Sequence, residues 1–195
     1  NLNDVDEFDV GAVTDSDAAA NSVAENATVG TVVGLTALAS DADATNSAIT
    51  YSLDDNAGGL FAIDGSTGQV TVDGAIDFES AASHNLTVRA TSSDGSTSSA
   101  LFAVSVTDVN EEAVGPVTDM DGADNMIAED VAAGTAVGIT ALATDPDVTD
   151  SVGYSVDDAR FIIDSSGVVR VGPGASFDAE AEDTINLTVT ASSND

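Results

Sequence analysis

The sequence contains no lysine, no cysteine and no tryptophan, and its only basic side chains are Arg89, Arg160 and Arg170. Against those 3 basic residues stand 35 acidic ones, for a formal charge of -32. Phosphate contacts need Lys and Arg, so nucleic acid and anionic membrane surfaces are excluded as partners. No apolar run is long enough to insert into a membrane. The absence of cysteine rules out a disulfide framework and leaves the redox compartment open.

The single histidine, His84, sits in a polar stretch and reads as a surface loop residue. With one His and neither Cys nor Lys, the usual nucleophilic and acid–base pairs cannot be assembled, which points away from an enzyme. A carboxylate pair for glycoside hydrolysis is possible by residue type alone. The acidic pairs, however, recur at equivalent places in both halves of the chain and suit a cation scheme better.

What the sequence has in quantity is carboxylate, Ala and Val. Apolar residues make up 43% of the chain, too many for an acidic disordered tail, and aromatics are only 4%. That composition fits thin β-layers. At 195 residues the chain can hold one large domain or two small ones. It opens on NLNDVDEF, which carries no signal peptide and reads as a linker from a longer polypeptide.

One domain is used twice. Residues 13–43, VTDSDAAANSVAENATVGTVVGLTALASDAD, return at 117–147 as VTDMDGADNMIAEDVAAGTAVGITALATDPD, at a constant offset of 104. YSLDD returns as YSVDD, FAIDGSTGQVTV as FIIDSSGVVRV, and NLTVRA as NLTVTA, with offsets drifting to 103, 100 and 101 as loops change length. Within a copy the signal is β. Leu86, Val88 and Ala90 alternate with Thr87 and Arg89, and Phe102, Val104 and Val106 alternate with Leu101, Ala103 and Ser105. Strands are predicted near 22–25, 31–40, 48–53, 60–63, 69–72, 83–92 and 100–109, with at most a single helical turn in AIDFESAASHN. About seven short strands in about 100 residues describe an antiparallel β-sandwich. The second copy stops at Asp195, equivalent to Asp94, and is therefore expected to lack its last strand within this chain. Truncation or a strand supplied in trans would both account for that.

Between the copies lies an acidic stretch, Asp108 to Asp130, with eight carboxylates and no basic residue. Two like charges about 4 Å apart repel by roughly 1 kcal/mol even in water. Calcium, which takes about 6–8 hard oxygen ligands, would relieve this. Loops gather at the ends of a β-sandwich, so distant carboxylates can converge there. Asp15, Asp17 and Asn21, with their copies Asp119, Asp121 and Asn125, have partial EF-hand spacing. They lack the Gly at position six and the Glu at position twelve, so an Asx turn leading into the first strand competes with an accessory calcium site. Asn85-Leu86-Thr87 and Asn186-Leu187-Thr188 match a glycosylation sequon but read as β-forming sequence.

Several motifs together resemble one family. They are Ala24-Glu25-Asn26, Asp41-Ala42-Asp43, FAIDGSTGQV from Phe61, Asp77-Phe78-Glu79, ATSSDG from Ala90, and Asp108-Val109-Asn110-Glu111-Glu112. They are similar to the PEN-like, DxD, FxIDxxTGxI, DRE-like, AxDxG and DxNDN motifs of cadherin-like repeats. The phrases VTDSDAAANSVAEN and ITALATDPD further resemble the tandem arrays of bacterial calcium-dependent giant adhesins of the RTX/VCBS type. Glu-Glu stands at 111–112 where a vertebrate cadherin linker has Asp-Asn, and AxDxG is stretched by one residue. With no tryptophan, the strand exchange of classical cadherins is not available in that form.

The resemblance implies an all-β chain of two tandem cadherin-like, Ig-like Greek-key β-sandwich domains. Residues 1–12 would be a linker from a preceding repeat, 13–110 domain 1, 111–116 a calcium-binding linker, and 117–195 the incomplete domain 2. It implies Ca2+ as the bound ion. The central site would draw on Glu25, Asp77, Glu79, Asp108, Asn110, Glu111, Asp145, Asp147 and Asp195. An upper site would use Asp41, Asp43 and Asp94 with Asn3 and Asp4, and a lower half-site Glu129, Asp178 and Glu180. The implied role is a rigid extracellular, cell-surface spacer in an adhesin, its partners being calcium and neighbouring repeats of the same polypeptide. A module binding polysaccharide or like domains on other cells, or a filament subunit completed in trans, are the alternatives.

Overall fold

The computed structural model describes residues 8–43, 47–147 and 149–193. The chain divides into two compact units, Asn1–Val109 and Asn110–Asp195.

Unit 1 is a sandwich of two four-stranded sheets. Its strands are β1 (Thr14–Asp15), β2 (Ser22–Ala24), β3 (Val32–Leu38), β4 (Ile49–Asp55), β5 (Phe61–Ile63), β6 (Gln69–Val72), β7 (Ser83–Ser92) and β8 (Thr97–Thr107). One sheet runs β1-β3-β6-β5 and the other β2-β8-β7-β4. All pairings are antiparallel except β2 with β8. The alternation read from sequence sets the layers: Leu86, Val88 and Ala90 on β7 and Val104 on β8 are fully buried, while Leu101 points outward. Val33, Leu35, Phe61, Val70 and Val72 close the core from the facing sheet. Burying a Val, Leu or Phe side chain contributes roughly 1.5–3 kcal/mol, so this row of fully buried residues supplies most of what holds the layers together.

Local chemistry fixes the turns. In the β5–β6 hairpin the Asp64 carboxylate accepts the amides of Ser66 and Thr67, each at 2.8 Å, and the Ser66 hydroxyl at 2.6 Å. The bend in β3 is a glycine requirement. The register with β6 shifts between Val32 and Thr36, and Gly34 there has φ 77°, where a Cβ would collide with the Ala20 carbonyl. Tyr51 crosses from β4 to accept the Ala39 amide on its hydroxyl at 3.0 Å.

Three details depart from the sequence reading. β1 was not foreseen, because two residues cannot show periodicity, and a short 3₁₀ turn at Ala57–Gly59 is also new. The AIDFESAASHN stretch makes one turn, with the Ala81 amide on the Asp77 carbonyl at 3.1 Å. His84 is not in a loop. It lies on β7, half-buried, edge-on to Phe61 with ring centroids 5.7 Å apart, because the polar Ser83-His84-Asn85 run simply starts the strand early.

Unit 2 repeats the plan with β9 (Thr118–Asp119), β10 (Ala136–Leu142), β11 (Gly153–Val156), β12 (Phe161–Ile163), β13 (Val168–Val171) and β14 (Val189–Ser192). Its sheets run β12-β13-β10-β9 and β11-β14. The bend recurs at Gly138, φ 82°, and Tyr154 accepts the Ala143 amide at 3.0 Å as Tyr51 does Ala39. The fully enclosed core is smaller, consisting of Val137, Phe161, Val169 and Val171. Among the described residues no strand pairs with the second edge of β14, where unit 1 has β8. The fold is all-β, two tandem β-sandwiches, as the sequence indicates.

Candidate metal centres

In unit 1, Glu25 directly follows β2 and is buried, 4% exposed. Its two carboxylate oxygens accept the amides of Phe78 and Val109, both at 2.7 Å. That position draws Glu25 to the turn carrying Asp77 and Glu79, and one oxygen from each of the three lies within 4.8 Å of the others. The Ser80 hydroxyl and amide, at 2.8 and 3.0 Å, hold the Asp77 carboxyl below the usual carboxylate range. Asp108, next to Val109, is tethered to this end by the Glu25–Val109 bond.

A second cluster of unit 1 unites Asp41, Asp43 and Asp94, again within 4.8 Å. Asp43 is buried, accepts the Phe8 amide at 3.2 Å, and donates its own amide to Asp41 at 3.0 Å. Hydrogen bonding from Ser92 first, then from the Asp43 amide, lowers the Asp41 pKa.

Unit 2 holds two clusters. Asp145, Asp147 and Asp150 converge within 4.8 Å, with Asp147 only 2% exposed. The amides of Glu111 and Glu112 donate to Asp147 at 3.3 and 3.0 Å. The Asn110 side chain donates to Asp150 at 2.7 Å, which leaves its amide oxygen as the free acceptor. The Ser193 hydroxyl donates to Asp150 at 3.2 Å. Glu129, Asp178 and Glu180 form the other cluster, fully exposed, with the Glu129 carboxylate accepting the Ala179 amide at 3.3 Å.

The structure therefore brings Glu25, Asp77 and Glu79 together, then Asp41, Asp43 and Asp94, then Asp145 and Asp147, then Glu129, Asp178 and Glu180. Asn3, Asp4 and Asp195 lie outside the described residues. Asp150 was missed. Its signal was the third acid of DPDVTD, which has Asn46 as its counterpart in the first copy and so drew no attention.

Comparison with known proteins agrees with this geometry. Residues 19–107 match the Cadherin domain family. The chain is 37% identical over 186 residues to human Protocadherin Fat 1, covering 89% of this chain and 4% of that protein. It is 35% identical over 189 residues to the Drosophila melanogaster protocadherin-like wing polarity protein stan, covering 87% of this chain and 5% of that one. The solved structure of mouse Cadherin-23 EC22-24 superposes with a TM-score of 0.73 at 30% identity, over 96% of this chain and 60% of that one. The chain is built from cadherin repeats.

Cadherin repeats are a non-enzymatic family of extracellular modules that bind Ca2+ at acidic sites between domains. The chain spans about a twentieth or less of the length of these curated relatives. Two of its acidic clusters, those of Asp41 and of Asp145, fit a hard cation on a test of their own. Oδ2 of Asp41, of Asp94 and of Asp145 are buried and accept no hydrogen bond among the described residues. A buried acceptor left without a donor costs about 1–3 kcal/mol, and more when charged. A cation bound by several such oxygens removes that cost, and carboxylates with an amide oxygen are the donor set calcium takes. Arginine is not the counter-charge here. Arg89 pairs with Asp54, Arg160 with Asp158 and Glu182, and Arg170 approaches Asp164, all away from the clusters.

The Asp15–Asn21 loop in these cadherin repeats behaves as an Asx turn. Asp15 Oδ1 accepts the Asp17 and Thr36 amides at 3.0 and 3.1 Å, and Asp17 Oδ1 the Ala19 amide at 2.9 Å. Asp119 and Asp121 repeat this with Asp121, Ala123 and Thr140. One oxygen of each of these four carboxylates accepts backbone amides, and neither loop is among the acidic clusters found in the described residues.

Proposed function

We propose that the chain is a calcium-binding spacer of an extracellular adhesion protein, and that Ca2+ bound around residues 108–112 fixes one cadherin repeat relative to the next. One observation carries this reading. Within the four consecutive residues Val109 to Glu112, the backbone passes from a hydrogen bond on the Glu25 carboxylate to hydrogen bonds on the carboxylate of Asp147, with Asn110 on Asp150. So short a segment, carrying Asp108, Asn110 and Glu111 itself, connects two groups of converging carboxylates. The ligand set proposed is Glu25, Asp77, Glu79, Asp108, Asn110, Glu111, Asp145 and Asp147, with Asp150 added, and with Asp195 from the sequence pattern.

In this reading residues 13–110 and 117–195 are successive repeats and 111–116 the linker. Asp41, Asp43 and Asp94, with Asn3 and Asp4 from the linker of residues 1–12, would serve the preceding junction. Glu129, Asp178 and Glu180 would serve the following one. Calcium supplies positive charge where formal charge is otherwise all negative, so the linker carboxylates attract a common ion in place of repelling one another. The finer reading, an array in a bacterial giant adhesin, is supported by the phrases VTDSDAAANSVAEN and ITALATDPD, whereas the matched relatives named above are eukaryotic.

Calcium titration by calorimetry tests the proposal. The intact chain should bind Ca2+, and Asp77→Asn and Asp145→Asn should each weaken the same set of sites. Unchanged heats in both variants would refute the assignment.

A further inference from the structure

The two units carry the same acidic corner with one difference of chemistry. Asp41, Asp43 and Asp94 make it in unit 1, and Asp145, Asp147 and Asp150 make it in unit 2. Asp145 and Asp147 repeat Asp41 and Asp43 at the offset of 104, whereas Asp150 stands at the position of Asn46. The counterpart of Asp94 is Asp195, outside the described residues. Each carboxylate of the unit 2 corner gives one oxygen to neutral donors. Asp145 Oδ1 accepts the Asp147 amide at 3.1 Å, and Asp147 Oδ2 accepts the Glu111 and Glu112 amides at 3.3 and 3.0 Å. Asp150 Oδ2 accepts the Asn110 side chain at 2.7 Å and the Ser193 hydroxyl at 3.2 Å. The second oxygen of Asp145 is buried and has no donor among the described residues. The arginines pair with Asp54, with Asp158 and Glu182, and with Asp164, so none of them offsets the charge of this corner.

We propose that Asp150 is the specificity-determining residue of this corner. Its carboxylate, standing where the first copy has an amide, raises the calcium affinity above what Asp145 and Asp147 give alone and favours ions of higher charge. The inference rests on the calcium reading of residues 108–112 and goes beyond it in naming what makes one acidic corner unlike the other. The number of charged ligands is a main determinant of calcium affinity in oxygen sites, which spans several decades. The energy between a carboxylate and an ion scales with the ion's charge. Removing one carboxylate therefore costs a trivalent ion about one and a half times what it costs a divalent one, on a logarithmic scale. A residue that only held the loop in shape would affect both ions alike. Asp150 is placed for the role, because its Oδ2 donors fix the carboxylate. The same contact holds Asn110 by its amide nitrogen and leaves the amide oxygen as an acceptor.

Chelator-buffered titrations of the intact chain with Ca2+ and with La3+ test this. They are followed at the amide resonances of Asp147 and Glu112 for unit 2 and of Asp43 for unit 1. Asp150→Asn should weaken Ca2+ at unit 2 by about tenfold and La3+ by about thirtyfold, and leave the midpoint at Asp43 within about twofold. Asp150→Glu, which keeps the charge, should recover most of the La3+ preference. Equal losses for the two ions, or no recovery by Asp150→Glu, overturn the role of Asp150. So does an Asp150→Asn chain that binds both ions as the parent does while Asp145→Asn weakens both, or one whose unit 2 unfolds in chelator. Each of those results leaves the calcium reading standing. A parent chain in which neither ion moves the Asp147 and Glu112 amides overturns the calcium reading itself, and this inference with it.

Discussion

The Glu25 carboxylate accepts the Val109 amide at 2.7 Å, joining the residue that follows β2 to the last residue of unit 1. Its other oxygen holds the Phe78 amide at the same distance. A buried glutamate is costly unless each oxygen finds a donor, and here both donors are backbone groups that nothing else competes for. The bond thus ties the position from which Asp108 and Asn110 emerge to the turn that carries Asp77 and Glu79.

Removing that carboxylate should be felt throughout unit 1. Glu25→Ala leaves two amides without their acceptor, and hydrogen bonds to a charged group are worth about 1.5–3 kcal/mol each. The expected loss is about 3–6 kcal/mol for the two bonds, read from amide exchange at Leu86 and Val88. Glu129→Ala, whose carboxylate is exposed and accepts one longer bond at 3.3 Å, should cost under about 1 kcal/mol. Equal losses would mean that burial at Glu25 adds nothing.

The hairpin aspartate gives a pH signature. Bonds from the Ser66 hydroxyl and the Thr67 and Ser66 amides lower the Asp64 pKa from 3.8 to about 2. A carboxyl with a depressed folded-state pKa contributes stability that is fully present above its unfolded value, near pH 4, and is lost as pH falls through about 2. Carbon-detected titration should show Asp64 ionised at pH 3, and Ser66→Ala should move its midpoint upward, since the hydroxyl is the largest cause. A midpoint near 3.8 in the parent chain would contradict the hydrogen-bond geometry.

The two cores should respond unequally to the same truncation. Leu86 is fully buried, so Leu86→Ala should cost about 2–5 kcal/mol in unit 1. Leu187 is only partly buried and lines a cavity of about 580 Å³ in unit 2, so Leu187→Ala should cost less than half as much, read from exchange at Val169 and Val171. Equal costs would show that unit 2 is as closed as unit 1.

Much of this was legible in the sequence, for identifiable reasons. Period-two alternation fixed β7 and β8 because a sandwich strand has one wet face, and the internal repeat checked each element twice. The acidic triads could be named because the resemblance to cadherin-like motifs implies them, but their convergence depends on loop ends that periodicity does not encode. Asp150 escaped because its partners are the Asn110 amide and the Ser193 hydroxyl, contacts far apart in sequence. His84 was misplaced because a polar Ser-His-Asn run resembles a loop, yet alternation from Leu86 backward already put it on the inner face. The Asx role of Asp15 and Asp119 could be weighed against calcium only once their oxygens were seen to hold Thr36 and Thr140 amides.

Neutralising one buried oxygen separates structure from ion binding. Asp145 Oδ2 accepts no hydrogen bond among the described residues, so Asp145→Asn should leave unit 2 folded without calcium, or stabilise it slightly. Its calcium affinity at the linker should fall by about tenfold or more, a loss of about 1.4 kcal/mol. Calorimetry alongside thermal unfolding in a chelator reads both. Unfolding without any change in affinity would make Asp145 a structural residue only.

The absence of cysteine permits the most direct test of the central claim. Spin labels placed on Ser99→Cys and Ser165→Cys, both exposed, report the distance between one repeat and the next by pulsed electron resonance. Calcium should give a narrow distance distribution and a chelator a broad one, with Asp77→Asn broad in both conditions. A distribution of the same width with calcium and with chelator would contradict calcium-dependent fixing of the repeats.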